Sequence, residues 1–233
     1  MDEHTSDEVT CTKYCEEVIS LDDTNEAVIL LCAKIVKNLK ELPSILKSVT
    51  SQDDLCSYLR YWSYEKIIDI FNKYPPKYNN YSVLNKLNYV LFTVNNDLKA
   101  DKWCSYNFDG IFSKWEKEKE LHDYFKNFEK INDNIDKKTS NCNTYLEYLK
   151  HISELYMKDL KYCCAYYTNP DPGYLEMCPK YFKCEKKYFP HSLISKLNCK
   201  NEKIDTNVDE IFKGLFVDLG VVTIIIKNDV LFE

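Results

Sequence analysis

The sequence predicts an all-α protein, an irregular multi-helix bundle with a cysteine-rich C-terminal lobe and disulfide stabilisation. Three observations predict it. Apolar residues recur at helical spacing through most of the chain, with proline or polar breaks between the runs. Only four glycines occur, at Gly110, Gly173, Gly214 and Gly220, never clustered, which disfavours a turn-rich β architecture. Eleven cysteines in 233 residues exceed ordinary usage yet fall short of a miniature disulfide scaffold, so they read as staples added to a real core.

The first element is an N-terminal cysteine-bearing arm, residues 1–22, carrying Cys11 and Cys15. From Asp23 the pattern turns helical: Asp23 and Glu26 have capping-box spacing, and Val28, Leu31, Cys32, Ile35 and Leu39 share a face until Pro43 stops the run. A second helix begins near Ser51, with Leu55, Leu59 and Trp62 on a stripe that Ile67, Ile70, Phe71 and Tyr74 continue to Pro75 and Pro76. The third, roughly Ser82 to Ala100, aligns Leu84, Leu87, Leu91, Val94 and Leu98. After a loop holding Cys104 and Gly110, a fourth places Leu121, Tyr124, Phe125, Phe128 and Ile131 on one face. The fifth, about Asn143 to Tyr162, aligns Tyr145, Leu149, Ile152, Tyr156 and Leu160. Five helices suffice for a bundle. From Cys163 to Cys199 the chain holds Cys163, Cys164, Cys178, Cys184 and Cys199, a Pro/Gly turn at 169–173 and a short apolar set at Leu193, Ile194 and Leu197, which reads as a stapled loop-and-helix lobe. The helical domain therefore spans 23–199. Residues 200–233 form a linker and a short apolar tail; its segment Ile211 to Ile226 is broken by Lys213 and Asp218, and reads as a degenerate or truncated membrane segment.

Several function classes recede. Phosphate-cradling glycine loops are missing. The net charge is −6 and Arg60 is the sole arginine, so guanidinium recognition of nucleic acid is essentially unavailable. A Cys–His nucleophile would have to use His4, His122, His151 or His191; His122 and His151 sit on helices beside charged residues, where exposure or a satisfied hydrogen bond is the ordinary explanation. Asp53 and Asp54 fit first-turn placement at a helix N-terminus better than acid–base chemistry. The mixed charges from Lys114 to Glu120 read as a solvated helix face. No catalytic site and no cofactor is expected.

The cysteines can be structural disulfides, zinc ligands or redox thiols. Disulfides are the favoured reading for Cys11, Cys15, Cys32, Cys56, Cys104, Cys142, Cys163, Cys164, Cys178, Cys184 and Cys199, because the spacings do not match the close pairs of zinc sites. A metal set drawn from Cys178, Cys184, His191 or Cys199 is the competing reading, and connectivity cannot be read from spacing. Tyr58, Tyr61, Trp62 and Tyr64 form the aromatic cluster best suited to an interface, although Trp62 follows the core stripe. Asn80-Tyr81-Ser82 has the form of a glycosylation acceptor.

Three clusters carry a family likeness. The first is Leu55-Cys56-Ser57-Tyr58-Leu59-Arg60-Tyr61-Trp62-Ser63-Tyr64-Glu65-Lys66-Ile67. The second joins Trp115, Leu121, Tyr124 and Phe125 to Cys142, Tyr145, Leu149, Ile152, Leu155 and Tyr156. The third is Cys178-Pro179-Lys180-Tyr181-Phe182-Lys183-Cys184, followed by Ser192 to Cys199. In this order they resemble the Plasmodium interspersed repeat proteins, called vir in Plasmodium vivax, with Tyr58, Leu59, Trp62, Trp115, Tyr124, Phe125, Tyr145 and Tyr156 as the motif core. The resemblance implies a non-enzymatic variant antigen, exported to the surface or membrane of the infected erythrocyte, acting in adhesion and immune evasion. Its partners would be a host-cell receptor protein or antibodies, with membrane association open, and with variable loops around Lys102 to Ser113 and Thr168 to Met177 making the contacts. The family commonly carries a C-terminal transmembrane helix, from which the tail here departs, and it enters the export route without a signal peptide. The alternative is a structural or scaffolding protein in the erythrocyte cytoplasm.

Overall fold

The computed structural model describes residues 8–21, 23–76, 79–137, 142–163, 178–179, 181–197, 199, 225–226 and 229–230. Within them lie seven α-helices: α1 (Glu8–Leu21), α2 (Glu26–Ile45), α3 (Gln52–Lys73), α4 (Asn80–Asp97), α5 (Phe112–Asp136), α6 (Cys142–Cys163) and α7 (Pro190–Ile194). Short 3-10 turns occupy Ala100–Lys102 and Lys186–Tyr188. Two two-residue strands, β1 (Ile225–Ile226) and β2 (Asp229–Val230), pair antiparallel with Ile225 opposite Val230, too small a ribbon to change the all-α class. The chain divides into two compact units, residues 1–118 and 119–233, and the division falls inside α5.

In the first unit α1 packs on α2 and α4, and α2 packs on α3 and α4. The expected N-terminal arm thus contains a helix, and its Cys15 is bonded to Cys32 of α2. Val18, Leu31, Ile35, Leu59, Ile67, Leu87, Val90 and Val94 fill the interior between these helices. The start of α2 differs from the capping-box expectation: Asn25, not Asp23, is the N-cap, its side chain accepting the Val28 N–H at 3.2 Å. Asn25 also donates from Nδ2 to the Tyr74 carbonyl at 3.4 Å, a partner 49 residues away that local pattern cannot reveal. Pro43 does not stop α2 but lies inside its last turn. Only Ser44 and Ile45 follow it in the helix, so the missing N–H costs a single late rung of the ladder.

α3 opens on Ser51, whose hydroxyl accepts the Asp54 N–H, and ends before the Pro75-Pro76 pair, with Asp53 and Asp54 in its first turn as expected. α4 starts two residues ahead of the expected Ser82 because Asn79 accepts the Ser82 N–H at 2.8 Å. The following segment is fastened rather than loose. Asn88 and Asn95, one heptad apart on α4, each grip a backbone: Asn95 takes the Cys104 N–H and gives to the Cys104 carbonyl, both at 3.1 Å. Asn88 does the same to Phe108 at 2.7 and 3.1 Å. Gly110 turns the chain at φ +78, and a Cβ there would stand 3.2 Å from Leu84 Cδ1.

In the second unit α7 packs on α6. Leu121, Tyr124, Phe128 and Ile135 of α5, Leu149, Ile152, Tyr156 and Leu160 of α6, and Leu193 and Ile194 of α7 make one buried cluster. Leu197 packs at its margin.

Among the described residues four disulfides have both partners placed: Cys15–Cys32, Cys56–Cys104, Cys142–Cys199 and Cys163–Cys178, with Cα–Cα distances of 6.0, 5.1, 5.6 and 5.2 Å. Cys184 is disulfide-bonded as well. Cys11 lies on α1, and Cys164 lies outside the described residues. Both sulfurs of the first bridge belong to residues 0% exposed, whereas Cys142, Cys199, Cys163 and Cys178 are only partly covered. Thiol–disulfide exchange requires access of the attacking thiolate to sulfur. Graded reduction of the native protein, followed by alkylation and peptide mass mapping, is therefore expected to label Cys142, Cys163, Cys178 and Cys199 before Cys15 and Cys32; simultaneous labelling of all would show that the first helix pair opens freely.

Candidate functional site

Tyr64 and Trp115 of the sequence motifs, and Tyr124, Phe125 and Tyr156, fall into two aromatic clusters, one in each unit. In the first, the Tyr64 and Trp115 rings stack at 4.1 Å with 7° between planes, and Phe108 meets Tyr64 edge-on at 6.1 Å. Trp115 donates its indole N–H to Asp109 Oδ1 at 2.6 Å. Arg60 donates from Nε to the Tyr64 hydroxyl at 2.9 Å and from Nη2 to Glu118 Oε2 at 3.1 Å, so the sole arginine is engaged in bracing α3 against the start of α5. Burial raises the Tyr64 phenol to about 12, against the opposing pull of Arg60, and keeps it a neutral hydrogen-bonding group. Burial alone would raise the Asp109 carboxyl, yet the Ile111 N–H, the Trp115 indole and Lys114 hold it below its ordinary value.

Leu59 and Trp115 of the motif core are fully buried, but Tyr58 and Trp62 are half-buried. Tyr61 and Tyr64 take the interior positions instead, and Tyr74, expected on the stripe, is 48% exposed. The reason is that α3 is covered on two sides, by α2 and by the Trp115 cluster, so a single helical stripe does not describe its buried surface.

In the second cluster Phe125 is ringed by Tyr156, Tyr181, Phe182 and Tyr188, at centroid distances from 5.3 to 6.1 Å. The buried hydroxyls are satisfied by backbone: Tyr124 donates to the Tyr188 carbonyl at 2.7 Å and Tyr156 to the Lys183 carbonyl at 2.9 Å. These bonds seat the Tyr181–Tyr188 segment on α5 and α6. Tyr145, half-buried, accepts from Asn134 Nδ2 at 3.1 Å. Sequence reading did not single out Phe189, which is fully buried and stacks on His191; an aromatic directly before Pro190 at the helix start was the available signal.

The histidines are placed by packing. His122 is buried, with Nδ1 3.3 Å from Asp123 Oδ1 and its ring edge-on to Tyr181. His151 is exposed and pairs with Glu120. His191 Nδ1 lies 2.8 Å from the Ser153 hydroxyl. His4 lies outside the described residues. The nine cysteines Cys15, Cys32, Cys56, Cys104, Cys142, Cys163, Cys178, Cys184 and Cys199 are disulfide-bonded, so none of them offers a thiolate. The competing metal set of Cys178, Cys184, His191 and Cys199 accordingly has three of its four members oxidised. Among the described residues no group of three or more His, Cys, Asp or Glu is arranged to hold a metal. Among them, too, no helix is long and apolar enough to cross a membrane; nearly all of the apolar segment 211–226 lies outside them.

The loop expected to vary between Lys102 and Ser113 is held at Cys104 by its disulfide and at Phe108 by burial, leaving Trp103, Ser105, Asn107, Asp109, Ile111 and Ser113 exposed. The other, Thr168 to Met177, lies outside the described residues.

Largely buried aromatic motifs and oxidised cysteines describe a disulfide-braced helical protein. The family described as Plasmodium vivax Vir protein matches residues 1–218, and the chain belongs to that family. No curated protein and no solved structure matches it. Membership suggests a variant antigen of Plasmodium.

Two outcomes test the packing roles. Trp115→Ala removes the stacked partner of Tyr64 and the Asp109 bond, and is expected to cost about 3–5 kcal/mol of stability in urea unfolding. His122 is pushed below its ordinary 6.5 by burial, against the pull of Asp123. A base depressed in the folded state binds its proton more readily when unfolded, so its stabilising contribution is present above pH 6.5 and is lost as pH falls below that value. Melting curves taken from about pH 7.5 down to about pH 5 should therefore fall less steeply for His122→Gln than for the wild type.

Proposed function

We propose that this chain is a non-enzymatic variant antigen, exported to the infected erythrocyte and acting at its surface in host-protein adhesion and immune evasion. Family membership over residues 1–218 is the observation that carries this reading. The oxidised cysteines support it, because disulfides persist in oxidising compartments and are kept reduced in a cytosol. Their burden here is to hold a helical frame while exposed residues face the exterior, where substitution costs the fold little. The partner is a host-cell receptor protein or an antibody, reached through exposed side chains such as those alternating along 103–113. A scaffolding role in the erythrocyte cytoplasm is the competing outcome.

The test combines exposure and oxidation on infected cells. Protease added to intact cells should remove a tagged copy, and alkylation without reductant should leave Cys15, Cys32, Cys56, Cys104, Cys142, Cys163, Cys178, Cys184 and Cys199 unlabelled. A copy protected from protease with those cysteines freely alkylated would sink the surface reading and favour the cytoplasmic scaffold.

A further inference from the structure

α4 differs from the other long helices in what it shows to solvent. Its exposed residues are Asn80, Tyr81, Asn85, Tyr89, Phe92, Asn96 and Asp97. Tyr81, Tyr89 and Phe92 are 66%, 55% and 62% exposed. The exposed positions of α5 and α6 are by contrast mostly lysine, glutamate and aspartate. α4 holds only two charged residues, and both face α1: Lys86 pairs with Glu17, and Asp97 accepts from Lys13 at 2.8 Å and from Tyr14 at 2.7 Å. What remains is the uncharged stripe Tyr81, Asn85, Tyr89, Phe92 and Asn96, spaced four, four, three and four, which runs along one line of the helix for about 22 Å.

We propose that this stripe is a homotypic interface, α4 packing antiparallel on α4 of a second copy about a two-fold axis near Tyr89. Charge decides between a copy and a foreign partner. A two-fold interface sets each patch against itself, so any net charge within the patch repels its copy. The α4 stripe carries no charge at all, so it meets its copy without that cost, and it offers a foreign partner no field to be steered by. Its order is also self-complementary. Reversal about a point between Asn88 and Tyr89 brings Tyr81 opposite Asn96 and Asn85 opposite Phe92, and sets the two Tyr89 side chains beside each other within one residue of exact register, matching phenol to amide at the ends and ring to ring at the centre. Aromatic enrichment with charge depletion is the composition of interface centres. A single helix pair buries less than the roughly 1,600 Å² of a standard interface, so the dimer is reversible and weak, with a Kd of about micromolar or higher.

Sedimentation equilibrium of the oxidised 233-residue chain tests this, using wild type, Tyr89→Glu, Tyr89→Lys and an equimolar mixture of the two variants. Because Tyr89 is exposed, the melting temperatures should stay unchanged, which separates dimer loss from unfolding. The wild type should show a concentration-dependent monomer–dimer equilibrium. Each variant alone should self-associate at least about tenfold more weakly, and the mixture should recover dimer as opposite charges meet at the axis. A wild type that stays monomeric up to about 1 mM overturns the proposal, since that lies beyond the range of a specific weak interface. So does a dimer that both variants retain, or a mixture that fails to recover. A monomeric chain whose binding to red-cell surfaces is lost in Tyr89→Glu would instead assign the stripe to a host protein.

Discussion

The frame depends on covalent ties placed where its helices would otherwise part. Among the described residues each of four bridges joins segments within one compact unit: α1 to α2, α3 to the segment after α4, and the two ends of α6 to the chain that follows. In the chain-entropy account, closing separations of 15 and 17 residues stabilises by about 3 kcal/mol each, and 48 and 57 by about 4. The gain is largest for the two long closures, Cys56–Cys104 around α4 and Cys142–Cys199 around α6 and α7. Non-covalent devices take over between the bridges. Asn88 and Asn95 hold the 104–108 backbone as a neighbouring strand would, exchanging N–H and carbonyl with a side-chain amide.

Aromatic side chains then fill the units that these ties enclose. Tyr64, Trp115 and Phe108 in the first unit, and Phe125, Tyr156, Phe182 and Tyr188 in the second, pack as stacked and edge-on rings, geometries that add to simple area burial. Their polar ends are satisfied by backbone carbonyls and by Arg60 and Asp109, while Tyr58, Trp62 and Tyr145 of the motif stay half-buried. Interior tyrosine serves here as a rigid spacer with one hydrogen bond to spend. The outer faces of α5 and α6 are under no such constraint and tolerate exchange among charged residues, which is the physical condition for a variable exterior over a constant frame.

Helices α2 to α6, their order and most of their buried stripes were determined by the sequence alone, because spacing near 3.6 residues and proline punctuation are local signals, whereas α1 was read as an arm. Leu84, Leu87, Leu91 and Val94 on α4, and Leu149, Ile152, Tyr156 and Leu160 on α6, are buried where periodicity places them. The likeness to the Vir family was legible too, since it resides in the order of cysteines and aromatics. Cysteine pairing was not, because which sulfurs meet depends on how helices pack. Nor was the capping of α2 by Asn25, which is anchored to Tyr74. The exchange of Trp62 for Tyr64 in the interior was decided by tertiary structure as well: Trp115, 51 positions on, supplies a second wall to α3 that a one-face pattern cannot anticipate. The same physics separates the two sources. Periodicity records which residues avoid water, whereas the neighbours they meet are set by contacts distant in the chain.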